Sequence, residues 1–394
     1  KTLKISDLVG TDGHFAMRSD IVGNGTGNST GDLLVVTGNS VGEHTVTVQN
    51  RGSANSTGTE TLTIIDTADG TAEFKLTQAT EVGGYEYELR RTNADSSNWE
   101  LYGARRSTST GSASINSFGA GYLLGYAETQ TLLQRMGDLR QSEVTGEPTG
   151  NIWARAFGGK FTSSSDGFLS GFDMTYSGLQ IGADKKRKWG NADVYLGAMF
   201  CFSHANQDFE TGSGSISDRH TGLYGVYIQP SGFYVDSLVK YTKMDHDFKV
   251  LDTAGTRVTG DDMSTDGLSA SIEIGQRIHF DRTKKEGWYL EPQAQISTGH
   301  QSGGSFNASN GLRVDVDSYN STLGRLGLNA GYEIKSGKNP VNIYAKASYV
   351  HEFDGDVAYR FNGSREQTSF GDSWWTYGLG ITAQINKKHN VYLD

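Results

Sequence analysis

A single cysteine, Cys201, occurs in the 394 residues, which excludes an intramolecular disulfide and, on the sequence alone, a cysteine-based metal site. Proline is scarce, at 4 residues, and no apolar run reaches the roughly 18 residues that would carry a helix across a bilayer. Mean hydropathy is −0.49. Membrane residence is therefore open to this chain only as a closed barrel of strands. Positive charge is also short: the net charge is −10 and the pI about 5.4. Residues 1–103 carry most of the deficit, with 7 Lys/Arg against 14 Asp/Glu, which argues against a nucleic-acid partner. The chain opens at Lys1 with no initiator methionine, signal peptide or lipid-anchor motif and is read as a fragment or a processed form. What is abundant is glycine, 52 residues, and aromatics, 11%. Such a composition favours sheet over helix and is too aromatic for a disordered tail.

Three regions follow. In residues 1–103, short strand-like runs recur between Gly, Asn, Ser and Thr: Leu33–Val36, His44–Val48, Thr61–Ile65, Ala72–Leu76 and Tyr85–Leu89. Pieces this short must stack to persist, so the end of a β-solenoid or a small sandwich is expected. Residues 104–149 change character. Arg105–Ser112 reads as a polar linker, and Ala113–Arg140 carries Leu123, Leu124, Ala127, Leu132, Leu133 and Met136 at mainly helical spacing. Gly119, Gly121, Gly125 and Gly137 weaken that helix by roughly 0.5–1 kcal/mol each. Its small residues would suit a narrow enclosure; an ordinary surface helix with a loose start is the plainer alternative.

From Gly150 to Asp394 the period is two. Trp288, Leu290, Pro292, Ala294 and Ile296 alternate with Tyr289, Glu291, Gln293 and Gln295, and the same alternation runs through 325–333, 341–349 and 375–385. Strands are expected near 151–161, 172–185, 192–209, 218–229, 232–250, 263–280, 286–299, 313–335, 341–353, 369–386 and 388–394. Short links alternate with long ones rich in Gly, Ser and Asp (Thr162–Gly171, Glu210–Ser217, Leu251–Asp262, His300–Leu312, Asp354–Thr368). Short turns on one rim and long loops on the other are the outer-membrane barrel pattern. Trp153, Trp189, Tyr227, Tyr234, Trp288, Tyr289, Tyr332, Tyr344, Trp374 and Trp375 are expected in its interfacial girdles. A water-soluble sandwich would alternate too, so periodicity alone leaves both open.

Four stretches taken in order resemble the type V autotransporters, specifically the pertactin and AIDA-type adhesin group. Phe74–Leu101, with its Val82-Gly83-Gly84-Tyr85-Glu86-Tyr87 and Asn98-Trp99-Glu100-Leu101, is similar to the autochaperone that ends the passenger. Gln134–Arg140 is similar to the helix entering the barrel, Asn151–Arg155 to the first barrel strand and Gly178–Lys185 to the second. The resemblance implies an all-β outer-membrane antiparallel barrel of twelve strands, of which the last is expected to be missing here, with a helix in its lumen and a β-solenoid before it. It implies export of the protein's own N-terminal passenger, with residues 1–103 on the cell surface and Tyr85, Tyr87 and Trp99 in the folding nucleus. Implied partners are outer-membrane lipids, the barrel-assembly machinery, periplasmic chaperones and the passenger itself, with surface self-association through it.

On this reading the helix presents Tyr126, Glu128, Gln130, Thr131, Gln134, Arg135, Met136 and Asp138 to a lumen lined by Trp153, Arg155, Gln180, Asp184, Glu273, Arg277, Glu291, Gln293, Arg325, Glu333 and Lys346. Asp236, Lys240 and Asn329 are expected inward as well. These groups either grip the helix or pair wall to wall. One subgroup of the family cleaves its passenger inside the barrel at an Asn-Asn pair; here the corresponding positions are Gln130 and Thr131, and glutamine must close a slower six-membered ring, so self-cleavage is not expected.

No cofactor, metal site or catalysis is expected. The nine histidines are scattered without His-Glu-x-x-His spacing and read as solvated or strand-surface residues. Asp354-Gly355-Asp356 and Asp261-Asp262 read as hydrophilic loop residues rather than Ca²⁺ ligands. Two rival functions stand beside the translocator: an outer-membrane protease using His300, Asp354 and Asp356 on the long-loop rim, and a soluble all-β adhesin.

Overall fold

The computed structural model describes residues 1–23, 29–52, 55–93, 97–141, 151–281, 286–334, 340–385 and 389–393; along 131–141, at 151 and along 384–392 it describes the backbone path alone. The N-terminal region is a stack of parallel coils. Thr2–Ile5, Leu33–Val36 and Thr61–Thr67 form one face, and Gly13–Asp20, Glu43–Asn50 and Glu73–Leu76 another. Thr2 faces Leu33 and Gly13 faces His44, an offset of 31 residues per coil. Parallel pairing at a fixed offset identifies a solenoid and not a sandwich. Leu34, Val46, Ile64, Ile65, Phe74 and Leu101 fill its interior.

The stack ends in an antiparallel cap. Asn98–Ser107 lies between Thr61–Thr67 and Tyr85–Arg91, with Thr80–Val82 outside it. Tyr85, Tyr87 and Trp99 are buried in this cap, Tyr87 donating to Glu60. The linker expected at Arg105–Ser112 does not exist. The strand runs to Ser107 because Arg106 pairs with Glu86 and Glu88 across the cap. The helix then begins at Ser109, its first turn capped by Thr108 Oγ1, which accepts from the Gly111 N–H at 3.1 Å.

The helix, Ser109–Gln141, leads to a curled antiparallel sheet. Among the described residues its strands follow chain order: Asn151–Ser163, Phe172–Trp189, Ala192–Phe209, Gly212–Ile228, Phe233–Leu251, Arg257–Gln276, Gly287–Gln301, Tyr319–Ile334, Val341–Glu352, Ser373–Ile385 and His389–Leu393, with the short Ile278–His279 beside the seventh. Four of the expected long loops contain strand, two of them as extensions of the large sheet. The third and fourth strands continue to Phe209 and from Gly212, and the fifth and sixth to Leu251 and from Arg257. Their Gly, Ser and Asp content reads as loop, but most of these residues pair in the ladder of the same sheet, with a bulge at Asp261 and Asp262 opposite Asp247. Conversely, the strand expected over 313–335 is two pieces. Arg313–Val316 joins Gly304–Asn307, Asp356–Phe361 and Ser364–Ser369 in a separate four-stranded sheet on the long-loop rim.

The burial pattern of the large sheet is the reverse of a water-soluble protein's. Ile152, Leu196, Leu223, Leu268, Leu326 and Leu379 are more than half exposed, while Gln180, Asp236, Glu273, Glu291 and Glu333 are buried. Only a lipid solvent makes that arrangement favourable, since charge facing lipid costs about 2–4 kcal/mol at mid-depth. Trp189, Trp288, Tyr332 and Trp375 face outward as expected of a girdle. Trp153, Tyr234 and Tyr289 instead are buried inside, and Trp374 meets the helix's Tyr126 edge to face at 5.5 Å. The reason is that their polar tips find partners there: Trp153 Nε1 donates to Tyr224 Oη at 2.7 Å, Tyr234 Oη to Glu273 Oε1 at 2.8 Å, and Arg277 covers the Tyr289 ring at 4.4 Å. Tyr344 shares this inward row. The rings of Trp153, Tyr234, Tyr289 and Tyr344 each lie over a glycine of the neighbouring strand (Gly182, Gly275, Gly331, Gly380), where an added Cβ would stand 2.3–2.5 Å from ring atoms. Cross-strand aromatic cover of this kind pins register, and explains much of the glycine content.

The solenoid's cap docks on the long-loop rim. Tyr85 Oη donates to Glu366 Oε1 at 2.9 Å and lies 2.8 Å from the Ser364 hydroxyl, and Thr253 N–H donates to Glu81 Oε1 at 2.9 Å. Burial, followed by the charges of Asp252 and Glu86, pushes the Glu81 carboxyl up to about 7 against the pull of the Thr253 N–H. A carboxyl raised on docking is penalised only where it is ionised in the free state. The penalty is absent below pH 4.5, grows as pH rises towards 7 and is constant above it. Glu81→Gln, which keeps the acceptor, is therefore expected to stabilise the docked cap by about 1–3 kcal/mol at pH 8 and not at pH 4. Limited proteolysis of the cap at both pH values checks this; equal protection of wild type and variant at pH 8 refutes it.

Candidate functional site: the helix in the lumen

The helix packs against the second to sixth barrel strands, most extensively on the fifth, Phe233–Leu251. Its small residues permit the approach. A Cβ on Gly121 would stand 3.0 Å from His246 Cε1 and 3.1 Å from Met244 Sδ, and one on Gly119 would stand 2.9 Å from the Phe370 ring. The helix is thus enclosed and not on a surface. Rings complete the fit, Phe118 stacking on His246 at 5.3 Å and Tyr122 on Phe370 at 5.2 Å.

Polar contacts concentrate at Glu128, which is fully buried. Its Oε1 accepts from Ser203 Oγ at 2.6 Å, and its Oε2 lies 3.3 Å from Lys240 Nζ and 3.1 Å from His220 Nδ1. His220 Nδ1 also lies 2.7 Å from Asp218 Oδ2. Gln180 Nε2 donates to the Glu128 carbonyl at 3.1 Å and Lys240 Nζ to the Gly125 carbonyl at 3.2 Å. Nearer the long-loop rim, Tyr122 Oη donates to Glu352 Oε2 at 2.8 Å, and Gln207 Nε2 to the Asn116 carbonyl at 3.3 Å. Five strands thereby bond one helix, and the second to fifth of them enclose a buried carboxylate that would otherwise be costly.

Of the wall residues expected to line the lumen, Gln180, with Lys240, reaches the helix, whereas the sixth to eighth strands pair among themselves. Arg277 meets Glu291 and Glu333, both at 2.5 Å; Arg325 meets Glu273, and bonds Gln295 at 2.7 Å and Gln293 at 3.3 Å. Asp184 accepts from Tyr224 Oη at 2.8 Å. Trp153 and Arg155 are buried, and Lys346 is half-buried across from Gly378. Tyr126 and Gln130 are half-buried on the helix. Thr131, Gln134, Arg135, Met136 and Asp138 lie outside the residues whose side chains are described.

Cys201, Ser203, Asp218, His220, Gln207, His246 and Glu352 also belong to this site, although no sequence motif marks them. His44, His220 and His246 are buried, not solvated. Inward parity on the third, fourth and fifth strands was the available signal. On the rim, His300 bonds Asn320 at 2.9 Å while Asp354 Oδ1 accepts from the Gly355 N–H at 3.2 Å, so these residues are engaged in separate local contacts.

Residues 152–394 match the family model of the autotransporter beta-domain, and residues 1–103 that of pertactin. The chain is 38% identical over 427 residues to the probable autotransporter YcgV of Escherichia coli K12, covering all of this chain and 44% of that protein. The serine protease EspC of Escherichia coli O127:H6 is 27% identical and is covered to 29% of its length. The chain thus spans less than half the length of these relatives. Among solved structures, the beta domain of the Bordetella autotransporter BrkA is 32% identical with a TM-score of 0.50, covering 62% of this chain and 90% of that one.

Proposed function

The chain belongs to the autotransporter family, its barrel being an outer-membrane translocator for its own passenger, and on that premise we propose that the lumenal helix is the retained plug that closes the pore after export. The observation that supports this is Glu128, buried and bonded from several strands at once, which fixes the helix within the lumen instead of leaving it free to slide. The mixed-sign wall of the sixth to eighth strands is the other half of the design. Paired wall to wall, its charges keep the remaining lumen polar without seizing a passing chain. The cap, with Tyr85, Tyr87 and Trp99 at its centre, acts as the nucleus on which upstream coils stack outside the cell; each added coil buries apolar surface and makes return unfavourable. Assembly would draw on periplasmic chaperones and the barrel-assembly machinery, and the passenger provides a surface for self-association. No catalysis is assigned to the translocator, and the passenger stays joined to it: Gln130 offers only the slower ring closure.

Ion conductance in planar bilayers tests the plug. A barrel lacking residues 109–141 is expected to pass a steady current where the intact chain is closed. Equal conductance of the two would overturn the proposal. Release of a passenger ending at Gln130 would overturn the statement that it stays joined.

A further inference from the structure

Beneath the helix, strand register gathers a second kind of chemistry. Cys201 on the third strand and His220 on the fourth are direct cross-strand partners, and Ser203 and Asp218 are the next inward pair. All four point into the lumen, where Glu128 descends on them from the helix. One donor atom each of Glu128, Cys201 and His220 lies within 4.8 Å of the others, and Asp218 Oδ2 lies 2.7 Å from His220 Nδ1. Cys201, His220, Asp218 and Glu128 are 0–1% exposed. Two atoms in the cluster, Asp218 Oδ1 and His220 Nε2, have no hydrogen-bond partner despite that burial. The carboxylates gather on His220 Nδ1, so an ion held there answers the Asp218 oxygen and not Nε2: an unpartnered buried carboxylate oxygen beside a thiol is costly unless something binds it.

We infer that Cys201, His220, Asp218 and Glu128 form a binding site for a divalent ion of the zinc class, clamping the lumenal helix to the barrel wall. Thiolate, imidazole and two carboxylates are a donor set that suits such an ion. Tetrahedral coordination at about 2.0–2.3 Å sets neighbouring donors roughly 3.3–3.8 Å apart. The present spacings of 2.7 and 3.1 Å about His220 Nδ1 reach that by small side-chain rotations. Charge also balances. Three anionic donors and a neutral imidazole around a dication leave one negative charge, and the Lys240 ammonium 3.3 Å from Glu128 cancels it. Binding releases the thiol proton to solvent, forms the metal–sulfur bond and involves no redox change. The ion would tie three separate elements, the helix and the third and fourth strands, at one point.

The test uses the full chain refolded in detergent micelles with Co²⁺ as a spectroscopic stand-in for Zn²⁺, each added alone. One ion per chain is expected to survive gel filtration, with a sulfur-to-cobalt charge-transfer band. Cys201→Ser should abolish the band, and Asp218→Asn should weaken retention at least tenfold, while heat-modifiable gel mobility stays that of the folded barrel. Absence of the band from wild type overturns the inference whatever the variants do. So does retention undiminished in Cys201→Ser, which would place the ion on surface histidines. Neither result bears on the plug, which conductance tests separately.

Discussion

Glu128→Ala is expected to destabilise the folded barrel by about 3–5 kcal/mol, because it strands a buried cation. Lys240 is 3% exposed and stands 3.3 Å from the carboxylate, and the His220 ring, 1% exposed, is 3.1 Å away. Removing the acid leaves the lysine with the Gly125 carbonyl as its described acceptor on the helix. The pair need not be worth that much over an apolar substitute; the loss comes from the partner left behind. Lys240→Met should therefore cost less in the Glu128→Ala background than alone, a coupling of roughly 1–3 kcal/mol in a double-mutant cycle. The midpoint of guanidinium unfolding, with folded and boiled gel mobility as the structural control, measures both. A Glu128→Ala variant within about 0.5 kcal/mol of wild type would mean that the carboxylate is solvated in the lumen.

Phe361→Ala should loosen the passenger's cap from the barrel while sparing the barrel itself. Phe361 is fully buried on the rim sheet, packing against Tyr85 of the cap at 5.9 Å and Tyr359 at 5.2 Å. Gly84 and Gly111 close over it so tightly that a Cβ on either would fall 2.1 and 2.9 Å from its ring. One side chain thus joins the cap, the helix start and the rim sheet. Truncating a buried phenylalanine costs about 3–5 kcal/mol, and the cavity here lies between units that cannot collapse together without moving the helix. Protease sensitivity of residues 1–103 should rise sharply, with the heat-modifiable mobility of the barrel unchanged. Phe361→Leu, which retains most of the volume, should lie much nearer wild type. A cap as protected in Phe361→Ala as in wild type would show that the ring does not join these units.

Strands were the legible part of this chain because their signal is local. Alternation at Trp288–Ile296 or Leu326–Tyr332 separates the two faces of a strand without knowledge of any neighbour. The third-to-fourth and fifth-to-sixth ribbons read as loop because glycine, serine and aspartate are the usual turn residues, although these stretches pair in the sheet and bury Ile216, Phe248, Val250 and Val258. The start of the helix was misread for a related reason: Ser107 and Thr108 look like linker, but both are buried, held by the cap and by capping geometry. Aromatic girdle positions divided by parity, so Trp375 faces out while Trp374 meets the helix. The Glu128 cluster was invisible for the deepest reason. Its members stand far apart in sequence and come together only when Cys201 is set opposite His220 by register and Glu128 is delivered by the helix.

Only Thr108 separates the last strand of the solenoid cap from the helix. With no swivel at that junction, and with the cap bonded to the rim on top of it, the heading of the solenoid about the membrane normal is inherited from the barrel. Every copy in a patch of membrane would then show its neighbours a side chosen by barrel orientation, and lateral packing of barrels would dictate which solenoid edge meets which.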